Sequence, residues 1–161
     1  MASRDGDRVV ALSLQLSQAH HELRRQISEI RTRLGHRRSS DDTLAAHCLA
    51  FCAALTSHHQ GEDDAMFSQL LRERPDLATT VANLVEDHGM IASILSRVRE
   101  LADRAAESGG PAREAVRREL DGLAAIMESH FSYEERTISE ALDDGVPDTG
   151  WTDTVFRFGR T

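Results

Sequence analysis

The sequence predicts an all-α protein, an up-down-up-down antiparallel four-helix bundle, from its composition, its apolar periodicity and its short connections. Of 161 residues, 40% are hydrophobic but only 4% aromatic. Ala, Leu, Arg and Glu are abundant, and side chains without a β-branch lose little rotamer freedom in a helix. Apolar residues recur at alternating steps of three and four, which keeps them on one helix face. Four such stretches joined by short connections make consecutive helices antiparallel neighbours.

The first stripe, Val9, Leu12, Leu16, His20, Leu23, Ile27, Ile30 and Leu34, predicts a helix over 6–35 stopped by Gly35. A polar stretch over 37–42 follows, with Ser40 or Asp41 suited to cap the next helix. The second stripe is Leu44, Cys48, Phe51, Leu55, His58, Glu62, Met66 and Leu70, ended by Pro75. The third, Leu77, Val81, Leu84, His88, Ile91, Leu95, Val98 and Ala102, runs to the neighbourhood of Ser108, where a Gly-Gly-Pro turn opens the fourth. That last stripe is Val116, Leu120, Leu123, Met127, His130, Glu134, Ile138 and Ala141, ending near Asp143 to Gly145. The bundle is therefore assigned to 1–146, and 147–161, with Trp151, Phe156 and Phe158, to a C-terminal tail packed over its end.

The formal charge is −8, with both signs interspersed along the chain, so no basic stripe exists to neutralise a phosphate backbone and nucleic acid is not an expected partner. The charged segment 1–8 lacks the apolar core of a secretion signal, and no apolar run is long enough to cross a bilayer. A soluble cytoplasmic protein is expected. Cys48 and Cys52 share one helical face with Phe51 and Leu55 and read as buried core thiols.

Each apolar stripe is interrupted near its middle by histidine, and two also carry glutamate one turn later. Burying these groups unpaired costs several kcal/mol each. At a rise of about 1.5 Å per residue, His20 and His58 lie roughly 21 and 25 Å from their shared turn, and His88 and His130 both lie roughly 28 Å from theirs. The four imidazoles are thus expected in one layer. His21, His36 and His47 fall off the stripes or far from that layer and read as surface or rim residues. Four imidazoles with Glu62 and Glu134 exceed the needs of one tetrahedral zinc. They suit two ions bridged by carboxylates, iron or manganese. Ferritin-like di-iron bundles use Glu-x-x-His, which this chain lacks; its order is His first and Glu four later.

That order, in Ala19-His20-His21-Glu22-Leu23-Arg24, His58-His59-Gln60-Gly61-Glu62 with Met66-Phe67, Glu86-Asp87-His88, and His130-Phe131-Ser132-Tyr133-Glu134-Glu135, resembles the hemerythrin-like cation-binding domains found widely in bacteria. The resemblance covers most of the chain. It implies two non-haem iron ions, oxo- or hydroxo-bridged, held by His20, His58, Glu62, His88, His130 and Glu134. His20 is preferred to His21 because the family pattern has Leu or Ile three residues after the ligand, here Leu23. Two departures matter. Where the family's oxygen carriers place a second histidine in the third helix stands Ala92, and where they place Asp five residues after the fourth-helix histidine stands Glu135. Glu134 is taken as the ligand and Glu135 as solvated.

Losing that fifth histidine leaves each iron with two imidazoles and a position to spare, open to water or to His59. Tyr133 is placed to gate or hydrogen-bond an iron-bound ligand. The resemblance implies a module binding O2, NO or H2O2 for sensing, scavenging or storage. The alternative is a di-iron enzyme that decomposes peroxide or reduces nitric oxide, and a third reading is iron-responsive regulation through metal-dependent stability.

Overall fold

A computed structural model describes residues 10–35, 41–108 and 110–157. Among them all regular structure is helical, with no strand. Helix α1 spans Leu12–Leu34, α2 Asp41–Gly61, α3 Phe67–Glu73, α4 Ala78–Ser108, α5 Gly110–Asp143 and α6 Trp151–Phe156. A π turn, Glu62–Met66, joins α2 to α3, and a 3-10 turn, Pro75–Leu77, joins α3 to α4. α1 packs against α2 and α5, and α4 packs against the same two, so the long helices enclose a common interior. No helix among the described residues is long and apolar enough to cross a membrane. Val9, His36, Ser40, Phe158 and the segment 1–8 lie outside the described residues, as does the side chain of Asp41.

The predicted stripes are the buried faces. Leu16, Leu23, Ile27 and Ile30 of α1, Leu44, Phe51 and Leu55 of α2, Leu84, Ile91 and Leu95 of α4, and Leu120, Leu123 and Ile138 of α5 are all buried. Cys48 and Cys52 are free thiols within this core. The core is not continuous. One apolar cluster contains Leu23, Leu55, Ile91 and Met127, and the other Leu16, Met66, Leu84 and Ile138. In each long helix the histidine of the stripe lies between these two clusters, so a polar layer divides the interior.

Three local features differ from the sequence reading. The second helix is interrupted by the π turn, because its stripe ends in three successive steps of four, His58, Glu62, Met66 and Leu70. In an uninterrupted α-helix those steps would carry the side chains about 120° away from the core. Phe67 N–H bonds to the Glu62 carbonyl five residues back, and this wider turn returns Met66 and Leu70 to full burial. Gly110 and Pro111 form the first turn of α5 rather than a turn before it, a place where proline forfeits no helical hydrogen bond. The C-terminal segment forms α6 along α2, the π turn and α1, burying Trp151 and Val155 beside the polar layer.

The start of α1 shows tertiary structure supplying what local sequence lacks. Ala11, in the capping position, has no side chain to offer. Asp143, at the end of α5, instead accepts from Ser13 N–H at 3.0 Å and from Ser13 Oγ at 2.5 Å. A carboxylate there also favours the positive end of the helix dipole.

Candidate metal centre

The polar layer contains His20 of α1, His58 and His59 of α2, Glu62 at the start of the π turn, His88 of α4, and His130 and Glu134 of α5, all buried. The structure brings together all seven residues singled out from the sequence. They form two groups, His59–Glu62–His88–His130 and His20–His58–Glu62–Glu134, and within each group one donor atom per residue lies within 4.8 Å of the others. Glu62 belongs to both. His59 therefore gives one group three imidazoles and leaves the other two, the arrangement in which His59 rather than water stands at the spare position. Its ring stacks on His88 at a centroid distance of 3.8 Å with 14° between planes.

The imidazoles are aimed by their far nitrogens. Nδ1 of His20 donates to Glu135 Oε2 at 2.8 Å, and Nδ1 of His58 to the Val155 carbonyl at 2.6 Å. Nδ1 of His88 donates to Asp63 Oδ1 at 2.8 Å, and Nδ1 of His130 to Asp87 Oδ2 at 3.0 Å. An Nδ1–H held this way fixes the tautomer and leaves Nε2 as a lone-pair donor facing the interior, the outer-sphere arrangement typical of metal-ligating histidine. Phe131 stacks on the His20 ring at 3.9 Å and 8°, and Phe67 lies parallel to His88 at 5.7 Å. The rings are held from two sides.

What they face is unsatisfied. Nε2 of His20, His59, His88 and His130 and both carboxylate oxygens of Glu62 and Glu134 are buried without a hydrogen bond. The groups are close all the same: His20 Nε2 and Glu134 Oε1 approach to 2.8 Å, and His88 Nε2 and Glu62 Oε1 to 3.2 Å, without hydrogen-bond alignment. Such a convergence of nitrogen lone pairs and carboxylates is costly in a dry interior unless a cation occupies it. A set of imidazole nitrogens and carboxylate oxygens suits iron or manganese, so the residues present fit a metal site.

Charge in the layer divides accordingly. Burial, with neighbouring imidazoles adding to it, pushes His58 down to about 3 and His59 well below its ordinary value. Burial also lowers His130. Burial works against charge on His20, but the carboxylates of Glu134 and Glu135 outweigh it and raise that imidazole. Burial and the charge of Glu134 hold Glu62 well above the usual carboxylate range. Burial presses the same way on Glu134, yet His20, Glu62 and His130 pull it below. Burial thus favours the protonated form of Glu62, and the neighbouring carboxylates favour that of His20.

Several residues stand elsewhere than the sequence suggested. Glu135 is only partly exposed: it holds His20, and that bond lowers its own carboxyl. Tyr133 accepts from Asn83 Nδ2 at 3.2 Å on the exposed side of the α4–α5 seam. His21 and His47, by contrast, stand as the stripes suggested: His21 is exposed, and His47, half-buried away from the layer, donates from Nδ1 to the Thr43 carbonyl one turn back. Asp63, Asp87, Glu135 and Val155 were not identified as orienting groups. A signal for three of them is present: Asp63, Asp87 and Glu135 each adjoin a donor of the layer in sequence, and each serves the histidine of the next helix round. Val155 carries no such mark.

A family model described as the hemerythrin HHE cation binding domain matches residues 13–142. No curated protein and no solved structure matches the chain.

Proposed function

Because the chain belongs to the hemerythrin HHE cation-binding domain family, we propose that it is a non-haem di-iron protein that binds a small ligand such as O2, NO or H2O2 for sensing, scavenging or storage. One observation carries the reading: buried imidazole nitrogens and the carboxylates of Glu62 and Glu134 converge in two groups that share Glu62, where Nε2 of His20, His59, His88 and His130 and the oxygens of both carboxylates have no hydrogen bond. His59, His88 and His130 would hold one ion and His20, His58 and Glu134 the other, with Glu62 available to both; manganese is the other candidate metal. His59 takes the part left open by Ala92. The alternating helix direction of the bundle is supported by Ser13 meeting Asp143 at one end of the α1–α5 pair and Arg113 donating to the Arg33 carbonyl at the other. Residues 1–146 are read as the bundle and 147–161 as an addition to it.

Bound iron supplies Lewis-acid and redox chemistry toward a small ligand. The chain's own residues set the conditions. The two apolar clusters keep bulk water from the layer, and the bonds at Nδ1 of His20, His58, His88 and His130 hold Nε2 in place. A cleft of about 430 Å³ between α2 and α4, lined by Thr56, Gln60 and Ala92 together with His59 and His88, gives a ligand its approach. The alternative, an enzyme that turns over peroxide or nitric oxide, would use the same cleft, which Ala92 lines.

The test is iron analysis of the protein reconstituted with Fe(II), with absorption spectra before and after O2, NO and H2O2. Two irons per chain and a visible band that reverses when O2 is removed support the binding module. Steady consumption of peroxide or nitric oxide, lost in His130→Ala, selects the enzyme. Protein that retains no metal refutes both.

A further inference from the structure

Three of the four oriented histidines are aimed by a carboxylate of an adjacent long helix or the π turn: Asp63 for His88, Asp87 for His130, Glu135 for His20. His58 breaks the pattern. Beside His20, α1 offers Ala19 and His21, neither a carboxylate. The partner of His58 Nδ1 comes instead from outside the long helices, as the Val155 carbonyl of α6, at 2.6 Å.

The approach that permits this bond depends on residue 61. A Cβ on Gly61 would stand 2.9 Å from Val155 Cγ2, closer than real Cβ atoms come, and 3.0 Å from Thr154 Cγ2, tighter than nearly all of them. Glycine inside a helix costs about 0.5–1 kcal/mol relative to alanine, so its place here answers to α6 rather than to α2. α6 has its own anchors. Trp151 is buried against Phe156 and donates to the Pro147 carbonyl at 3.0 Å, and Asp148 accepts from Gly150 N–H and Thr152 Oγ1, both at 2.8 Å. Gly145 and Gly150, at φ of 113° and 106°, turn the chain back from α5.

We propose that α6 is a positioning element of the metal centre: the Val155 carbonyl, admitted by Gly61, fixes His58 for the cation it shares with His20, so that docking of the C-terminal helix and metal affinity are one coupled equilibrium. This rests on the di-iron reading above. Linkage makes the coupling reciprocal: whatever docking adds to metal affinity, the metal returns to docking.

The test uses the full chain and three variants. Gly61→Ala drives α6 away. Gly61→Ala with Thr154→Ser and Val155→Ala removes the methyl groups it strikes while keeping the backbone carbonyl. Trp151→Ala loosens α6 without touching α2. Fe(II) affinity is read anaerobically against a competing chelator, α6 docking by the emission of Trp151, which is the sole tryptophan, and the His58 tautomer by ring 15N shifts in the metal-free protein. Gly61→Ala is expected to red-shift the emission, release the fixed tautomer and weaken one of two iron-binding steps about 10- to 100-fold, with helix content unchanged. The triple variant restores all three readouts. An unmoved emission, or displaced emission with wild-type iron affinity, overturns the coupling while leaving the centre standing. Should Gly61→Ala lose its helical circular dichroism, Trp151→Ala decides, and wild-type iron affinity there overturns it. Wild-type protein that binds no iron defeats the metal reading itself and this inference with it.

Discussion

Glu135→Ala separates a solvated glutamate from one that aims a ligand. The carboxylate is 26% exposed and accepts from His20 Nδ1 at 2.8 Å, while the His20 side chain is fully buried. Truncation leaves that N–H without its acceptor, at a cost of about 1–3 kcal/mol for a buried donor. Water can enter beside a partly open residue, so the lower part of that range, about 1–2 kcal/mol, applies to the metal-free protein. An ordinary surface substitution stays within about 0.5 kcal/mol. For a chain of this size each kcal/mol moves Tm by roughly 2–4 °C, giving a fall of about 2–8 °C in a thermal melt. Freed from its anchor, His20 also loses its aim, and iron affinity should drop about 10- to 100-fold, as for other outer-sphere partners of ligating histidine. Glu135→Gln keeps an acceptor and should fall between wild type and alanine. A melt within a degree of wild type together with unchanged iron affinity refutes the reasoning.

Iron binding should release protons and strengthen with pH. Glu62 and His20 both titrate above their ordinary values, so the metal-free fold keeps protons that the unfolded chain gives up, and a cation must displace them. The stabilisation those protons lend the metal-free fold is lost as pH rises through the folded values, and iron then replaces it. The gain in Tm on adding Fe(II) should therefore be larger at about pH 8 than at about pH 6; a gain independent of pH contradicts the assignment. Cys48 and Cys52 are fully buried, and burial pushes their thiols up to about 12 and about 11. Iodoacetamide at mildly alkaline pH should leave both unmodified in the native protein and alkylate both in denaturant, as mass spectrometry reports; native labelling contradicts the burial.

The sequence by itself determined the long helical stretches, their inward faces and the donors that break those faces, though not the π turn within the second stretch or the helix Trp151–Phe156. Helical periodicity is a short-range rule: Leu16, His20 and Leu23 must share a face whatever they pack against, and His130 and Glu134 must stack one turn apart. What it could not determine was anything requiring two distant segments to meet. Glu135 adjoins Glu134 and looks solvated on a helical wheel until α1 arrives to place His20 against it. Whether His59 or water stands at the spare position stays open until the π turn and α4 fix how the layer closes around it, and Ala11 leaves α1 uncapped until Asp143 reaches it from α5. Gly61 and Val155, 94 residues apart in sequence, owe their roles to a close approach of α2 and α6. Local propensity decides which side chains point inward. Only packing decides which far nitrogen meets which carboxylate or carbonyl, because those bonds run between helices whose relative rotation no single helix encodes.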